Sequence, residues 1–235
     1  MKTNLNENQA NRRGFLKILA GTAATLGITS YVKSAQQAVE ANMPDAKMHI
    51  ADQWMKTSIK GKHRMVFDVT QPHDVLPFAW PKVFLMTNGA TGTPEKENTA
   101  MVVLRHNAIC YAFGHELWAK YNFGQMFKAM SPPEHKEFAT KNPFWQPAKG
   151  AFNIPGIGAV PIGINELQES GVLFCVCDAA MTVFSAVAAD MMKMDAATVK
   201  KEWEAAVLPG IQIVPSGVWA VGRAQEYDCS YCFAG

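Results

Sequence analysis

Five cysteines are the residues of this 235-residue chain that could do the most distinctive chemistry. Cys177 ends a short apolar run and is followed by Asp178-Ala-Ala, so we predict that it ends a strand and begins a helix. The partial positive charge at a helix N-terminus favours a thiolate over a thiol. Cys177 is therefore predicted to be a nucleophilic or persulfide-carrying sulfur. The alternative is a buried, inert cysteine that packs as a small hydrophobic side chain.

Other reactive groups are predicted near the same edge of a sheet. His106 lies at the end of the second predicted strand, and Asp68 lies near the end of the first. In open α/β sheets, sites gather beyond the carboxyl ends of the strands. Cys175 is two residues before Cys177 on one strand, which predicts that both side chains share a face. The predicted supporting residues are Cys175, His106, Cys110 and Asp178.

Cys229 and Cys232 form a C-x-x-C pair near the end of the chain, without the following histidine of a c-type haem site. One interpretation is a disulfide between them, or between one of them and another cysteine. The other is a zinc or iron–sulfur site, because four thiolates can hold either group. Its ligands would come from Cys175, Cys177, Cys229, Cys232 and His106. Since five cysteines cannot all pair within the chain, we expect Cys177 to be the free one.

Strands and helices alternate along the chain, which predicts a three-layer α/β/α fold around a mostly parallel, five-stranded sheet. Residues 122–163 interrupt this rhythm with six prolines and are predicted to be an insertion, a long loop with short helices. The predicted strands are 64–70, 100–107, 172–177, 211–214 and 228–233. The predicted helices are 50–57, 77–88, 115–121, 164–170, 179–194, 196–206 and 217–226.

The amino terminus places Arg12 and Arg13 before a Phe-Leu-Lys run and an apolar stretch over 18–32. This pattern resembles a twin-arginine export signal, which implies delivery of the folded protein to the periplasm by the Tat translocase. We expect cleavage after Ala41; an uncleaved signal would leave an amino-terminal membrane anchor. The apolar stretch is shorter than the roughly 20 residues of a membrane-spanning helix. The predicted division is a signal over 1–41, a lead-in segment over 42–62 and a domain over 63–235.

The formal net charge of +2 owes much to this signal, since residues 1–41 hold five basic and two acidic residues. The remaining chain has no run of lysine and arginine, which argues against a nucleic-acid partner. Export would also place the cysteines in a compartment where disulfides form.

Two stretches resemble the DsrE/DsrF-like family, the sulfur-relay proteins related to TusD and YchN. They are Gly171-Val-Leu-Phe-Cys-Val-Cys-Asp-Ala-Ala180 and Leu208-Pro-Gly-Ile-Gln-Ile-Val-Pro-Ser-Gly-Val-Trp-Ala-Val-Gly-Arg-Ala-Gln225. Met65–Val69 and Met101–Asn107 are similar more weakly to the first two strands of the family. Together, the resemblance covers roughly two thirds of the chain after the signal.

The resemblance implies a DsrE-like fold in which Cys177, after the third strand, carries sulfur as a persulfide. It also implies a homo-oligomer, a trimer or hexamer, and a periplasmic sulfur or redox partner protein. We expect an exported persulfide carrier or sulfurtransferase component. The alternative is a non-catalytic, oligomeric binding subunit of a periplasmic redox or sulfur-oxidation complex, with its cysteines in disulfides or on a metal.

Overall fold

The structure is a computed structural model that describes residues 48–132 and 136–235. The predicted export signal, with Arg12 and Arg13, lies outside the described residues. The chain from Ile50 to Gly235 forms one compact unit. Within the described ranges, no helix is both long enough and apolar enough to cross a membrane.

A five-stranded sheet forms the middle layer, and all of its strand pairs are parallel. Its strands are β1 (His63–Val69), β2 (Asn98–Leu104), β5 (Leu173–Cys177), β6 (Ile211–Val214) and β7 (Ser230–Phe233), and β3 (Asn153–Ile154) and β4 (Gly158–Ala159) form a separate small hairpin. The strand order across the sheet is β6-β5-β2-β1-β7. Strand β2 lies at the centre and is buried along its whole length, as expected for a parallel strand covered on both faces. The predicted fold class is confirmed.

Helices cover both faces of the sheet and form two separate cores. The described helices are α1 (Ile50–Ser58), α2 (Leu76–Ala90), α3 (His115–Tyr121), α4 (Phe123–Met126), α5 (Ile164–Glu169), α6 (Asp178–Met192), α7 (Ala196–Ala205) and α8 (Gly217–Glu226). The first core packs one face against α2, α6, α7 and the segment between β2 and β5, and the second packs the other face against α1 and α8. Two 3₁₀ helices span Glu95–Glu97 and His106–Ala112.

The insertion over 122–163 is part of the first core. Phe123, Phe127, Phe144 and Phe152 are buried there, and the rings of Phe144 and Phe152 stack with their centroids 5.1 Å apart. Its described part has the predicted short helix, α4, and also the β3–β4 hairpin, which the sequence did not predict. Burial of these aromatic side chains removes a large apolar area from water, which holds the insertion against the first core.

One predicted strand boundary needs correction. The second strand ends at Leu104, three residues earlier than predicted, because His106 adopts a left-handed conformation with φ +50° and opens a 3₁₀ helix. Pro81 lies in the second turn of α2, because that helix begins at Leu76.

Candidate functional site

Cys177 occupies the junction that the sequence predicts, at the end of β5 and directly before α6. It is the N-cap residue of α6, and its Sγ accepts a hydrogen bond from the backbone N–H of Ala180 at 3.3 Å. A helix N-terminus leaves several backbone N–H groups without partners within the helix, so an anion on this sulfur would be favoured. The residue is 5% exposed.

Beside Cys177, the helices that follow neighbouring strands change from one face of the sheet to the other. Strand β5 leads into α6 in the first core, whereas the neighbouring β6 leads into α8 in the second core. The two helix starts meet where the N–H of Ala179 donates to the carbonyl of Pro215 at 3.2 Å. In open parallel sheets, ligands bind at the point where neighbouring strands connect to opposite faces. Cys177 therefore stands where the fold itself favours a binding site.

An ion-paired network lies along the same edge of the sheet. The Arg105 guanidinium binds the Asp68 carboxylate through two bonds, Nε to Oδ1 at 2.6 Å and Nη2 to Oδ2 at 2.9 Å. The Tyr231 hydroxyl donates to Asp68 Oδ2 at 2.9 Å. Asp68 is 3% exposed, and the Tyr231 ring is largely accessible. This network joins β1, the residue after β2, and the edge strand β7.

Sequence reasoning noted Asp68 but missed Arg105 and Tyr231. The available signal was a single arginine directly after the apolar run 100–104, because a residue that follows a buried parallel strand lies at the carboxyl edge of the sheet. Tyr231 had no such signal, because the pairing of β7 with β1 joins residues far apart in the chain.

Two of the predicted supporting residues lie near the edge but serve local contacts. His106 is exposed, and its ring packs edge-on against Phe184 of α6 with centroids 5.8 Å apart. The Asp178 carboxylate accepts a bond from Lys200 Nζ at 2.5 Å, which ties α6 to α7. Neither contact is to the Cys177 sulfur.

The other two predicted supporting residues are core thiols. Cys110 is fully buried in the 3₁₀ helix after β2, and burial raises its pKa well above the usual value. Cys175 is fully buried in the second core, and burial also raises its pKa. Cys177 packs with the first core, because the chain turns out of the strand there into α6. Burial favours the neutral thiol, so Cys110 and Cys175 are poor nucleophiles at neutral pH.

The C-x-x-C pair is divided between the two faces of the sheet. Cys229 packs in the second core, whereas Cys232 contacts the first core from the edge strand β7. All five cysteines of the chain are free thiols in this structure. The part of the chain that the structure describes has no group of three or more His, Cys, Asp and Glu side chains placed to hold a metal ion. The residues named for a zinc or iron–sulfur site are therefore not gathered around one point.

Two larger grooves lie away from Cys177. One, of about 730 Å³, lies at the amino-terminal edge of the sheet and is bordered by Lys60, Lys62, Arg64 and Lys96. The other, of about 510 Å³, runs between α2 and the β3–β4 hairpin and is mostly apolar. Neither contains a cysteine, so the sulfur chemistry considered for this chain belongs to the carboxyl edge.

The scan against models of known protein families matched none of them, and the search of curated proteins found no similar sequence. The resemblance to the DsrE/DsrF-like family therefore rests on the motifs given above and stays a prediction. The expected homo-oligomer also stays a prediction; an exposed apolar stripe of Val183, Val187 and Met191 along α6 is compatible with it.

Proposed function

We propose that the protein carries sulfane sulfur on Cys177, as an exported persulfide carrier or sulfurtransferase component. The observation that carries the proposal is the position of Cys177, at a strand end, capping a 15-residue helix, and one strand away from an arginine. A sulfur at this position accepts the N–H of Ala180 in the first turn of α6, and the N-terminus of a helix favours the anionic form needed for attack.

The transfer requires a donor with a terminal sulfur, and we name a low-molecular-weight persulfide, R–S–SH. The Cys177 thiolate attacks the terminal sulfur, a new S–S bond forms at Cys177, and the S–S bond of the donor breaks. The bonding electron pair leaves on the donor as a thiolate, which takes up the proton that Cys177 lost on ionisation. The product is Cys177–S–SH, and no net oxidation occurs.

Release is the reverse exchange with a different thiol. The thiolate of an acceptor attacks the outer sulfur of the Cys177 persulfide, and the Cys177 thiolate leaves. The same groups that favour the thiolate before loading favour it as the leaving group, because a more stable thiolate leaves faster. The carrier is thereby returned to its starting state.

The test is the intact mass of the protein after incubation with cysteine persulfide and removal of the small molecule. The wild type is expected to gain the mass of one sulfur atom and to lose it on treatment with a reductant. Cys177→Ser should gain none. Cys232→Ser is the matched control, since Cys232 is more exposed than Cys177, and it should load as the wild type does. Full loading of Cys177→Ser would overturn the proposal.

A further inference from the structure

Strand β7 forms an open edge of the sheet. It pairs with β1 on one side, and none of the described strands pairs with its outer side. Ser230, Tyr231 and Phe233 are exposed, the two aromatic side chains at 46% and 57%. On β6, the opposite edge strand, every side chain is buried or half-buried. Native proteins commonly protect an edge strand with lysine or proline, and β7 contains neither residue.

The backbone groups of Tyr231 and Phe233 are directed to the outer side of β7. The N–H of Ala234 donates to the carbonyl of Asp68 on β1 at 2.9 Å. Successive residues of a strand direct their N–H and C=O groups to opposite sides, so Cys232 also faces β1, whereas Tyr231 and Phe233 face outward. The Phe233 carbonyl accepts the Cys232 thiol at 3.6 Å, a weak contact that another strand could replace. The edge therefore offers the N–H and C=O groups of two residues to a further strand.

A second copy of β7 fits this edge in an antiparallel register centred on Cys232, which pairs the whole strand. Tyr231 then lies opposite the partner's Phe233, and Phe233 lies opposite the partner's Tyr231. Each of these pairs exchanges two backbone hydrogen bonds, and facing aromatic side chains contribute to strand pairing. The two Cys232 residues meet at the two-fold axis as a non-hydrogen-bonded pair, with Cα atoms about 4.5 Å apart. That separation lies within the range of roughly 4.4–6.8 Å found in disulfides.

The charges around β7 favour a second copy in the antiparallel direction. The strand has no charged side chain, so pairing with itself places no like charges opposite each other. Asp228, just before the strand, has a side chain that is 91% exposed and would lie beside its own copy in a parallel pair. In the antiparallel pair the two Asp228 residues lie at opposite ends, roughly 27 Å apart at about 3.4 Å per residue. That distance exceeds the roughly 10 Å over which exposed charges interact in 0.1 M salt.

The exposed apolar area of β7 is small for a tight non-covalent dimer. An aromatic side chain has about 150–250 Å² to bury, and Tyr231 and Phe233 each expose about half, so pairing covers roughly 200 Å² of aromatic surface per protomer. A stable interface covers about 800 Å² per partner. Pairing through β7 alone is therefore short-lived, and a covalent bond between the two Cys232 residues would make it last.

We propose that two copies of this chain pair through β7 and that a disulfide between their Cys232 residues makes the pair permanent. The oxidant is a low-molecular-weight disulfide, R–S–S–R. A Cys232 thiolate attacks one of its sulfurs, which forms a mixed disulfide and releases one R–S⁻. The partner's Cys232 thiolate then attacks the protein sulfur of that mixed disulfide and releases the second R–S⁻.

The exchange balances without any other reactant. Two protein thiols are oxidised to one disulfide, the disulfide of the oxidant is reduced, and the two thiol protons end on two molecules of R–SH. Neither step involves Cys177, so the inference is independent of the proposed sulfur transfer.

The experiment follows both steps in the reduced full-length chain at pH 8 with oxidised glutathione, by intact mass without reductant. The wild type is expected to form a mixed disulfide and then a species of twice the protein mass, which reductant returns to the monomer. Peptide mapping should place the link between the two Cys232 residues. Cys232→Ser should form no linked dimer. Cys110 and Cys175 should stay unmodified in every variant, because they are buried in the folded protein.

Phe233→Pro tests whether strand pairing brings the two thiols together. This change removes an outward N–H and no bond to β1, and proline is tolerated on edge strands when the missing N–H faces solvent. We expect linked dimers to form at least about tenfold more slowly, because each protomer loses a hydrogen bond between the strands. The mixed disulfide should form at the wild-type rate. Phe233→Thr is the matched control, since it removes the same ring and keeps the N–H, and it should form dimers faster than Phe233→Pro.

Three results would overturn the proposal. Linked dimers of Phe233→Pro that form as fast as those of the wild type would mean that exposed thiols react by collision. Phe233→Thr dimers that form as slowly as those of Phe233→Pro would mean that the ring, and not the backbone, holds the two copies. A wild type that stops at the mixed disulfide, or that links through other cysteines, would mean that β7 does not pair with itself.

Discussion

At the scale of single residues, the five thiols are placed in different surroundings. Cys110 and Cys175 are fully buried, and burial raises the pKa of each. Burial raises the pKa of Cys229 to about 11, although the Arg64 charge opposes this. Cys177 differs in having a backbone N–H, that of Ala180, which donates to its sulfur at 3.3 Å. We therefore expect the reactivity of each thiol to depend on its position in the fold.

Brief alkylation of the native protein at pH 8, followed by peptide mass analysis, tests this ordering. We expect modification at Cys177 and at the partly exposed Cys232, and almost none at Cys110 or Cys175, because a neutral buried thiol is neither nucleophilic nor accessible. Unfolding in guanidinium chloride before alkylation is the control and should label all five. A thiol that labels only after reduction would reveal a disulfide and favour the binding-subunit alternative.

At the scale of elements, the start of α8 determines how the site is built. Ser216 caps this helix by accepting the N–H of Trp219 at 3.1 Å, and Gly217 then brings the helix backbone against Arg105. A side chain at Gly217 would push the start of α8 away from Arg105. It would thereby also move α8 away from the edge of the sheet at which Cys177 lies.

Gly217→Ala should destabilise the protein by about 1–3 kcal/mol, because the added methyl group overlaps the carbon chain of Arg105. The free energy of unfolding in urea measures the effect. Gly222→Ala is the matched control in the same helix, since a Cβ there meets no atom within 4 Å. That control should be neutral or stabilising by about 0.5–1 kcal/mol, the usual gain of alanine over glycine inside a helix. Equal stability of the two variants would contradict this account of the α8 contact.

At the scale of the whole molecule, the buried side-chain amide of Asn142 connects the insertion over 122–163 to the sheet layer by hydrogen bonds. Asn142 Nδ2 donates to the carbonyls of Tyr111 and Phe113, both at 2.9 Å, and its Oδ1 accepts from the Phe144 N–H at 3.0 Å. These bonds join the insertion to the 3₁₀ helix after β2, on which Cys110 also lies. The insertion is thus a structural part of the domain.

Asn142→Ala should lower the free energy of unfolding by about 3 kcal/mol, because it leaves buried polar groups of three residues without partners. Asn153→Ala, at an exposed position in the β3–β4 hairpin, is the control and should change stability little. Urea unfolding monitored by tryptophan fluorescence compares them. If Asn142→Ala only makes residues 122–163 more sensitive to proteolysis and leaves the free energy of unfolding unchanged, the insertion unfolds separately from the sheet.

Much of the local structure could be predicted from the sequence, because short-range physics determines it. The alternation of strand and helix patterns predicted the mostly parallel sheet. Asp195 and Ser216, whose side chains cap the helices that follow them, act over the same short range. The strand-end position of Cys177 followed from the same local pattern. Within the insertion the sequence was less informative, because proline content indicates irregular backbone but not which aromatic side chains become buried.

The surroundings of Cys177 were decided only by tertiary structure. Arg105 follows β2, Asp68 lies near the end of β1 and Tyr231 lies on β7, and parallel pairing with crossover connections is what brings these three residues together. The separation of Cys229 from Cys232 also depends on that pairing, since each cysteine packs in a different core. The sequence by itself determined which residues begin and end the elements, because those signals act over a few residues. Only the folded sheet decided which of the reactive groups became neighbours, because that depends on contacts between residues as far apart as Asp68 and Tyr231.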